Sequence, residues 1–155
     1  MMVEKGIRRR LRGGDTMANA GELLEKWVST FNESKWDEGE QLFAPNGVTE
    51  EIGTGRTVGV KEGIENGKAW KAAFPDARGK IENRLASGNQ AIGEIVWTGT
   101  NKGSFNGMPP TNKSADVRAV AVITEEGGKI VKARHYIDVA GMLTQLGVMP
   151  QAPGR

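Results

Sequence analysis

The hydrophobic pattern of the chain changes once, at Pro75. Before this residue, apolar side chains recur every three or four positions, which is the spacing of a helix that buries one face. After Asp76, four segments of strand-like composition follow one another, separated by glycine-bearing turns. Helices followed by consecutive strands predict an α+β fold, in which a curved antiparallel sheet wraps around the N-terminal helices to form a cone with one pocket.

Capping and helix-breaking residues indicate where the elements end. Asn19 can cap the first helix, whose apolar face runs from Leu23 to Phe31. A later helix begins near Val60 and is ended by Pro75, because proline disfavours helical geometry in the residue before it. The other predicted elements are a short helix over 36–43, a strand and turn within 46–57, strands over 78–86, 90–101, 114–124 and 129–138, and a last helix ended by Gly147.

The length of 155 residues fits one domain, preceded by a basic extension. Five Lys or Arg against two acidic residues give positions 1–17 a net charge of +3, which leaves −1 for the rest of a chain whose net charge is +2. We therefore expect a flexible extension over 1–17, a single domain over 18–150 and a tail over 151–155. The basic character belongs to the extension rather than to a face of the domain, which argues against nucleic-acid binding.

Two absences in the sequence narrow the class of protein. No apolar stretch approaches the ~18–20 residues of a membrane-spanning helix, so we expect no membrane partner. The chain has no cysteine, which excludes disulfides and thiolate metal ligands and makes the cytoplasm the expected location. His135 is the single histidine, so the sequence contains no recognisable pattern of metal ligands.

Four local motifs lie in the second half of the chain. They are Ala73-Phe74-Pro75-Asp76, the run from Trp97 that contains Phe105-Asn106-Gly107-Met108-Pro109-Pro110-Thr111, Gly128-Lys129-Ile130-Val131, and Tyr136-Ile137-Asp138 followed by Gln145-Leu146-Gly147. In sequence, order and spacing they resemble the SnoaL-like polyketide cyclases of the nuclear transport factor 2-like superfamily, over approximately 19–150. Asn112 stands where that family usually has glycine, and asparagine tolerates the same left-handed backbone.

The resemblance implies a chemical role for Asp138. Its counterpart in the family is the acid/base group of an intramolecular aldol cyclisation that uses neither metal nor organic cofactor. An apolar cavity raises the pKa of a carboxyl group, which suits proton exchange near neutral pH. Strand alternation puts Tyr136 on the same face, from which its hydroxyl could donate to a substrate carbonyl. We therefore predict Asp138 and Tyr136 as catalytic residues, no cofactor, and a small hydrophobic or polyketide-like ligand.

Aromatic side chains are expected to form the walls of the pocket, although most of the aromatic set must pack in the core. An arginine on the last strand could add a positive charge beside the catalytic carboxylate. The residues assigned to the substrate pocket are Trp27, Phe31, Trp70, Phe74, Trp97, Phe105 and Arg134. The resemblance further favours a homodimer.

Each polar residue of the last strand also has a purely structural interpretation. Asp138 stands between strand and helix, where aspartate is a favoured N-cap, and a helix N-terminus stabilises its charged form. Tyr136 can be a core residue and Arg134 an exposed residue at the rim. His135 has the opposite parity to Asp138 and is interpreted as packing or as part of a dimer face, while Glu50-Glu51 is interpreted as solvated edge charge.

Two functions from different classes remain open. The first is a cyclase-like or isomerase-like enzyme that performs acid/base chemistry on a small apolar carbonyl compound. The alternative is a noncatalytic binding protein that retains the pocket, because one fold hosts many functions. A third possibility, an epoxide-hydrolase-like enzyme that activates water between paired carboxylates, lacks a second carboxylate at a convincing position.

Overall fold

The computed structural model describes residues 17–149. The expected extension, apart from Met17, and the expected C-terminal tail therefore lie outside the described residues. The elements in chain order are α1 (Ala20–Asn32), α2 (Trp36–Gln41), β1 (Phe43–Glu51), β2 (Arg56–Gly59), α3 (Val60–Ala73), β3 (Arg78–Ser87), β4 (Gln90–Thr100), β5 (Ser114–Glu126), β6 (Lys129–Ile137) and α4 (Val139–Leu146). Among these, no helix is long and apolar enough to cross a membrane.

The six strands form one curved sheet in the order β2-β1-β6-β5-β4-β3. Strands β3 to β6 pair antiparallel with their neighbours in the chain, as the turn residues predict. Strand β1 instead runs parallel to β6, so the sheet is mixed rather than wholly antiparallel. This corrects the expected sheet, and the reason is physical: β1 and β6 are far apart in sequence, so no local turn signal reports their pairing.

The second helix is shorter than predicted, because Phe43 belongs to β1 rather than to α2. Leu42 accepts a hydrogen bond from the amide of Ile130 at 2.8 Å, and Phe43 pairs with Ile130 in the sheet. The register then shifts before Val48, so β1 is irregular around its proline and glycine. Tertiary pairing here overrides the helical spacing of the apolar residues.

Helix α1 packs against the inner face of the sheet and forms the main core. Asn19 caps it, accepting a hydrogen bond from the amide of Glu22 at 2.9 Å, as the sequence predicts. Leu24 is fully buried, and it can approach the sheet closely because Gly93 faces it: a Cβ at that glycine would lie 2.8 Å from a Leu24 methyl carbon. Truncating such a leucine to alanine typically costs about 2–5 kcal/mol.

The chain turns from α3 into the sheet at the Phe74-Pro75-Asp76 step. Asp76 accepts hydrogen bonds from the amide and the hydroxyl of Thr100, at 2.7 and 2.8 Å, and these bonds lower the pKa of its carboxyl. Asn101 is buried beside this corner, where its side chain donates to Gly103 and accepts from the amide of Thr111. The loop between β4 and β5 is thereby fixed to the end of α3.

Candidate functional site

A pocket lies between the helices and the inner face of the sheet, with a cavity volume of about 150 Å³. Its surface is predominantly apolar, which is typical of small-molecule sites. Side chains from α1, α2 and α3 form one side and side chains from the strands form the other. The aromatic members of the lining are Trp27, Phe31, Trp36, Phe43, Trp70, Phe74 and Trp97.

The cavity stays open because several residues that border it are small. Gly63 and Gly67, one turn apart on α3, both line the pocket. A Cβ at Gly67 would lie 3.1 Å from a ring carbon of Trp36, so the indole occupies the space that a side chain would need. Gly99 and Ala115 line the pocket from the sheet. Larger residues at these positions would fill the volume now left for a ligand.

The aromatic wall is internally packed. The rings of Trp27, Phe31 and Trp97 meet edge to face, with centroids 5.0 Å apart for Phe31 and Trp97 and 6.2 Å apart for the two tryptophans. Trp70 and Phe74 stack with centroids 5.6 Å apart. Such pairs contribute about 0.5–1.5 kcal/mol beyond the apolar area that they bury. The wall is therefore expected to keep its shape around a ligand.

A polar group occurs on the sheet side of the pocket, where β1 pairs with β6. Glu51 and His135 are direct partners in the parallel register, and His135 Nδ1 lies 3.4 Å from Glu51 Oε2. Thr49 is on the same side of β1, two residues before Glu51, and it is buried. His135 is only 8% exposed, and its Nε2 accepts a hydrogen bond from Trp97 Nε1 at 3.2 Å. A carboxylate, an imidazole and a hydroxyl thus converge within an apolar cavity.

One other charged residue contributes to the lining. Lys35 is half exposed, and its ammonium group lies 2.6 Å from the carboxylate of Glu33. The hydrogen bond and the charge of Glu33 raise the pKa of Lys35, so this lysine stays protonated. Lys35 is paired with Glu33, and among the described residues that line the pocket Glu51 is the acidic one, beside His135 on the neighbouring strand.

Tyr136 and Asp138 do share a face, but that face is the outer one. Both contribute to an open hollow on the far side of the sheet together with Glu82, Glu94 and Arg118. Tyr136 is 41% exposed. This differs from the expectation that they accompany the apolar pocket. The pocket lies against the other face of β6, which carries His135 and Ile137.

Asp138 also has a structural contact in this position. It is the N-cap of α4, and its Oδ1 accepts a hydrogen bond from the amide of Gly141 at 2.8 Å. The capping interpretation of the sequence is therefore observed in the structure. The catalytic interpretation remains a prediction for experiment.

Of the seven residues assigned to the substrate pocket, five line it: Trp27, Phe31, Trp70, Phe74 and Trp97. Phe105 instead packs behind the wall, with its ring centroid 4.6 Å from that of Trp70. Arg134 pairs with Glu50 in the sheet register, on the outer face. Both differ from the expectation. Phe105 lies outside the lining because the loop between β4 and β5 folds back on α3. Arg134 lies outside it because strand alternation puts its side chain on the same face as that of Tyr136.

The sequence interpretation missed Glu51 and His135 as pocket residues. A signal was available for His135, because its face of β6 also carries Ala133 and Ile137 and is therefore the more apolar one. No comparable signal existed for Glu51, since its place depends on the long-range pairing of β1. Within residues 17–149, no group of three or more His, Asp or Glu side chains is close enough to hold a metal ion.

Comparison with known proteins agrees with the fold and with the motifs. A family profile described as SnoaL-like polyketide cyclase matches residues 21–146. No curated protein matches the chain.

Several solved structures are similar in fold. IdmH from Streptomyces antibioticus, a proposed polyketide cyclase, is 24% identical, with a TM-score of 0.74 over 82% of this chain and 97% of that one. AclR from Streptomyces galilaeus, a proposed hydroxylase, is 22% identical, with a TM-score of 0.74 over 84% and 86%. A hypothetical protein with a ketosteroid isomerase-like fold from Catenulispora acidiphila, in complex with trimethylamine, is 19% identical, with a TM-score of 0.72 over 87% and 100%.

Proposed function

Because the chain belongs to the SnoaL-like polyketide cyclase family, we propose that it is a cyclase-like or isomerase-like enzyme that acts on a small apolar, polyketide-like carbonyl compound. The observation that carries the proposal is the juxtaposition of Glu51 and His135 inside a predominantly apolar pocket. The family membership supports the class of reaction, and the cavity supports an apolar ligand.

The proposed chemistry is proton transfer at a carbon next to a carbonyl group. One member of the Glu51–His135 pair removes a proton from that carbon, and the resulting enolate carbon attacks a second carbonyl of the same molecule. A carbon–carbon bond forms, and the new alkoxide takes up a proton, so the reaction is balanced without a cofactor. In an isomerase reaction the proton instead returns to a different carbon of the substrate.

The pocket supports this chemistry in two ways. Its apolar walls exclude water, and exclusion of water strengthens the electrostatic interactions of the polar groups that remain. The ring of His135 is held from two sides, by the indole N–H of Trp97 and by an edge-to-face contact with Trp27 at 5.4 Å. A substrate would therefore meet an imidazole that is already oriented.

The test is proton exchange at the activated carbon of 1,3-dicarbonyl compounds and polyketide-like esters, followed by NMR in heavy water, together with product analysis for cyclisation. Glu51→Gln should slow the reaction by about 10²–10⁴-fold, the usual contribution of a general base. Asp138→Asn is measured beside it, because the two carboxylates lie on opposite faces of the sheet.

The two variants separate the candidate residues. A large loss in the Glu51 variant alone supports the pocket pair. A large loss in the Asp138 variant alone overturns the assignment to Glu51 and supports the role that the family resemblance gives to Asp138. Equal rates in both variants and wild type contradict acid/base catalysis by either carboxylate.

A noncatalytic binding protein is the second candidate, and the mostly apolar lining of the pocket favours it. In that case aromatic ligands would change the fluorescence of the four tryptophans without any turnover. Binding that survives in the Glu51→Gln variant, with no exchange or product from wild type, would establish this alternative.

We also propose that the protein forms a homodimer through the outer face of the sheet. Leu85 and Ile92 are paired across β3 and β4 and are 61% and 42% exposed, and Ile92 neighbours Val122 on β5. Tyr136 extends this apolar surface on β6. Contiguous exposed apolar surface is typical of protein interfaces. Ile92→Lys should convert a dimer to a monomer in analytical ultracentrifugation, and an unchanged mass would contradict the proposed interface.

A further inference from the structure

Each ring nitrogen of His135 lies near a different polar group. One group is a hydrogen-bond donor and the other is a carboxylate. Trp97 Nε1 lies 3.2 Å from Nε2, and Glu51 Oε2 lies 3.4 Å from Nδ1. An indole N–H can only donate a hydrogen bond, so Nε2 must offer its lone pair to it. In a neutral imidazole the proton is then on Nδ1, which is the ring nitrogen nearer to the Glu51 carboxylate.

We propose that Trp97 is a positioning residue that holds His135 in the Nδ1–H tautomer and thereby leaves Glu51 as the proton acceptor of the pair. The opposite tautomer would set the N–H of His135 against the N–H of Trp97. It would also leave the lone pair of Nδ1 3.4 Å from the carboxylate of Glu51, so neither neighbouring group would meet a donor or acceptor that suits it. The assignment of the base rests on the proposed function, whereas the tautomer does not.

The position of Trp97 is itself fixed from the edge of the sheet. Trp97 is paired with Gly79 on β3, and a Cβ at Gly79 would lie 2.5 Å from a ring carbon of the indole. The indole therefore occupies the space left by the missing side chain. Gly79 is held in turn by Asn32, whose side chain accepts from its amide at 2.7 Å and donates to its carbonyl at 2.9 Å.

This arrangement connects the end of α1 to the acid/base pair through the sheet. Asn32 holds the backbone of β3, Gly79 leaves room for the indole of Trp97 on β4, and the indole N–H reaches His135 on β6. The three contacts therefore depend on the side chain of Asn32, the missing side chain of Gly79 and the indole of Trp97. Changing Gly79, which does not itself contact His135, should therefore change the tautomer of the imidazole by moving its hydrogen-bond donor.

The experiment measures the tautomer directly, by ¹⁵N NMR of the imidazole in the full-length protein without substrate. His135 is the only histidine, so its two nitrogen signals need no assignment among several residues. Wild type should show a protonated Nδ1 and an unprotonated Nε2. Trp97→Phe keeps an aromatic ring but removes the donor, and it should shift the population toward the Nε2–H form that free histidine prefers.

Trp70→Phe is the matched control. Trp70 also lines the pocket, but its ring contacts Phe74 and Phe105 rather than His135, so this variant should keep the wild-type tautomer. Gly79→Ala is a second variant, because its added methyl group must displace the indole, and it should produce the same shift as Trp97→Phe. Amide NMR spectra establish that each variant is folded.

The outcomes separate this inference from the proposed function. An Nε2–H tautomer in wild type, or an unchanged tautomer in folded Trp97→Phe, overturns the role of Trp97. If the tautomer shifts as expected while Glu51→Gln keeps the wild-type exchange rate, the positioning role stands and the catalytic assignment of Glu51 fails.

Discussion

Substitutions at Asp138 separate a helix cap from a catalytic carboxylate. Asp138 Oδ1 accepts one hydrogen bond, from the amide of Gly141 at 2.8 Å, at the exposed start of the eight-residue helix α4. Replacing an N-cap with alanine costs about 0.5–2 kcal/mol, typically about 1. For a chain of this size, 1 kcal/mol corresponds to a decrease in Tm of roughly 2–4 °C. We expect this loss for Asp138→Ala.

Asparagine is as good an N-cap as aspartate, so Asp138→Asn should keep the free energy of unfolding within about 0.5 kcal/mol of wild type. It removes the charge and the proton acceptor at the same time. If Asp138 acts only as a cap, Asp138→Asn should be indistinguishable from wild type in urea unfolding, in Tm and in the exchange assay.

Two results would refute this reasoning. The first is an Asp138→Ala variant as stable as wild type, which would mean that the hydrogen bond to Gly141 does not stabilise α4. The second is an Asp138→Asn variant that keeps wild-type stability but reacts about 10²-fold or more slowly than wild type. In that case the outer hollow beside Tyr136, and not the apolar pocket, would contain the reacting carboxylate.

Two further predictions concern stability. Hydrogen bonds from Thr100 lower the pKa of Asp76, so this stabilisation is present above the ordinary aspartate pKa of about 3.9 and is lost as the pH falls through the lower value in the folded protein. Because Asp76 is exposed, Asp76→Asn should cost only about 1 kcal/mol in urea unfolding at neutral pH, and a difference that persists at acid pH would contradict the hydrogen bonds from Thr100 as its cause. Gly63→Ala should stabilise α3 by about 0.5–1 kcal/mol, because alanine favours a helix interior over glycine and the added Cβ would make only an ordinary 3.6 Å contact with Thr49. The same methyl group should weaken the binding of a pocket ligand, measured by tryptophan fluorescence. A loss of stability would instead show that the pocket face of α3 tolerates no added methyl group.

Much of the fold could be predicted because its signals are local. The cap at Asn19, the break at Pro75 and the terminator Gly147, which has a left-handed backbone, all act within a few residues, and each has the predicted role in the structure. The strands of the second half agree with their predicted bounds to within two residues for the same reason, because local turn and capping residues end them. The end of α2 and the direction of β1 were not predicted, and both involve pairing with β6, which no local residue reports. Strand β2 was also missed, because the region 46–57 was predicted to hold a single strand and a turn.

The candidate site was less predictable, since its geometry depends on which side of the sheet faces the helices. Alternation along β6 correctly separated Tyr136 and Asp138 from His135, but alternation alone does not say which group lies inside. The aromatic wall was largely predictable because large apolar side chains must be buried somewhere. Glu51 could not have been predicted, because its neighbour in space is 84 positions away in the chain.

The sequence by itself determined the helices, the hairpin strands, the family and the set of residues able to exchange a proton. These depend on backbone preferences and on side-chain chemistry, both of which are properties of short segments. Only the tertiary structure decided that Glu51 meets His135 inside the pocket while Asp138 caps a helix on the outer face. That choice is made by the parallel pairing of β1 with β6 and by the side of the sheet that α1 covers, and both are consequences of packing the whole chain around one core.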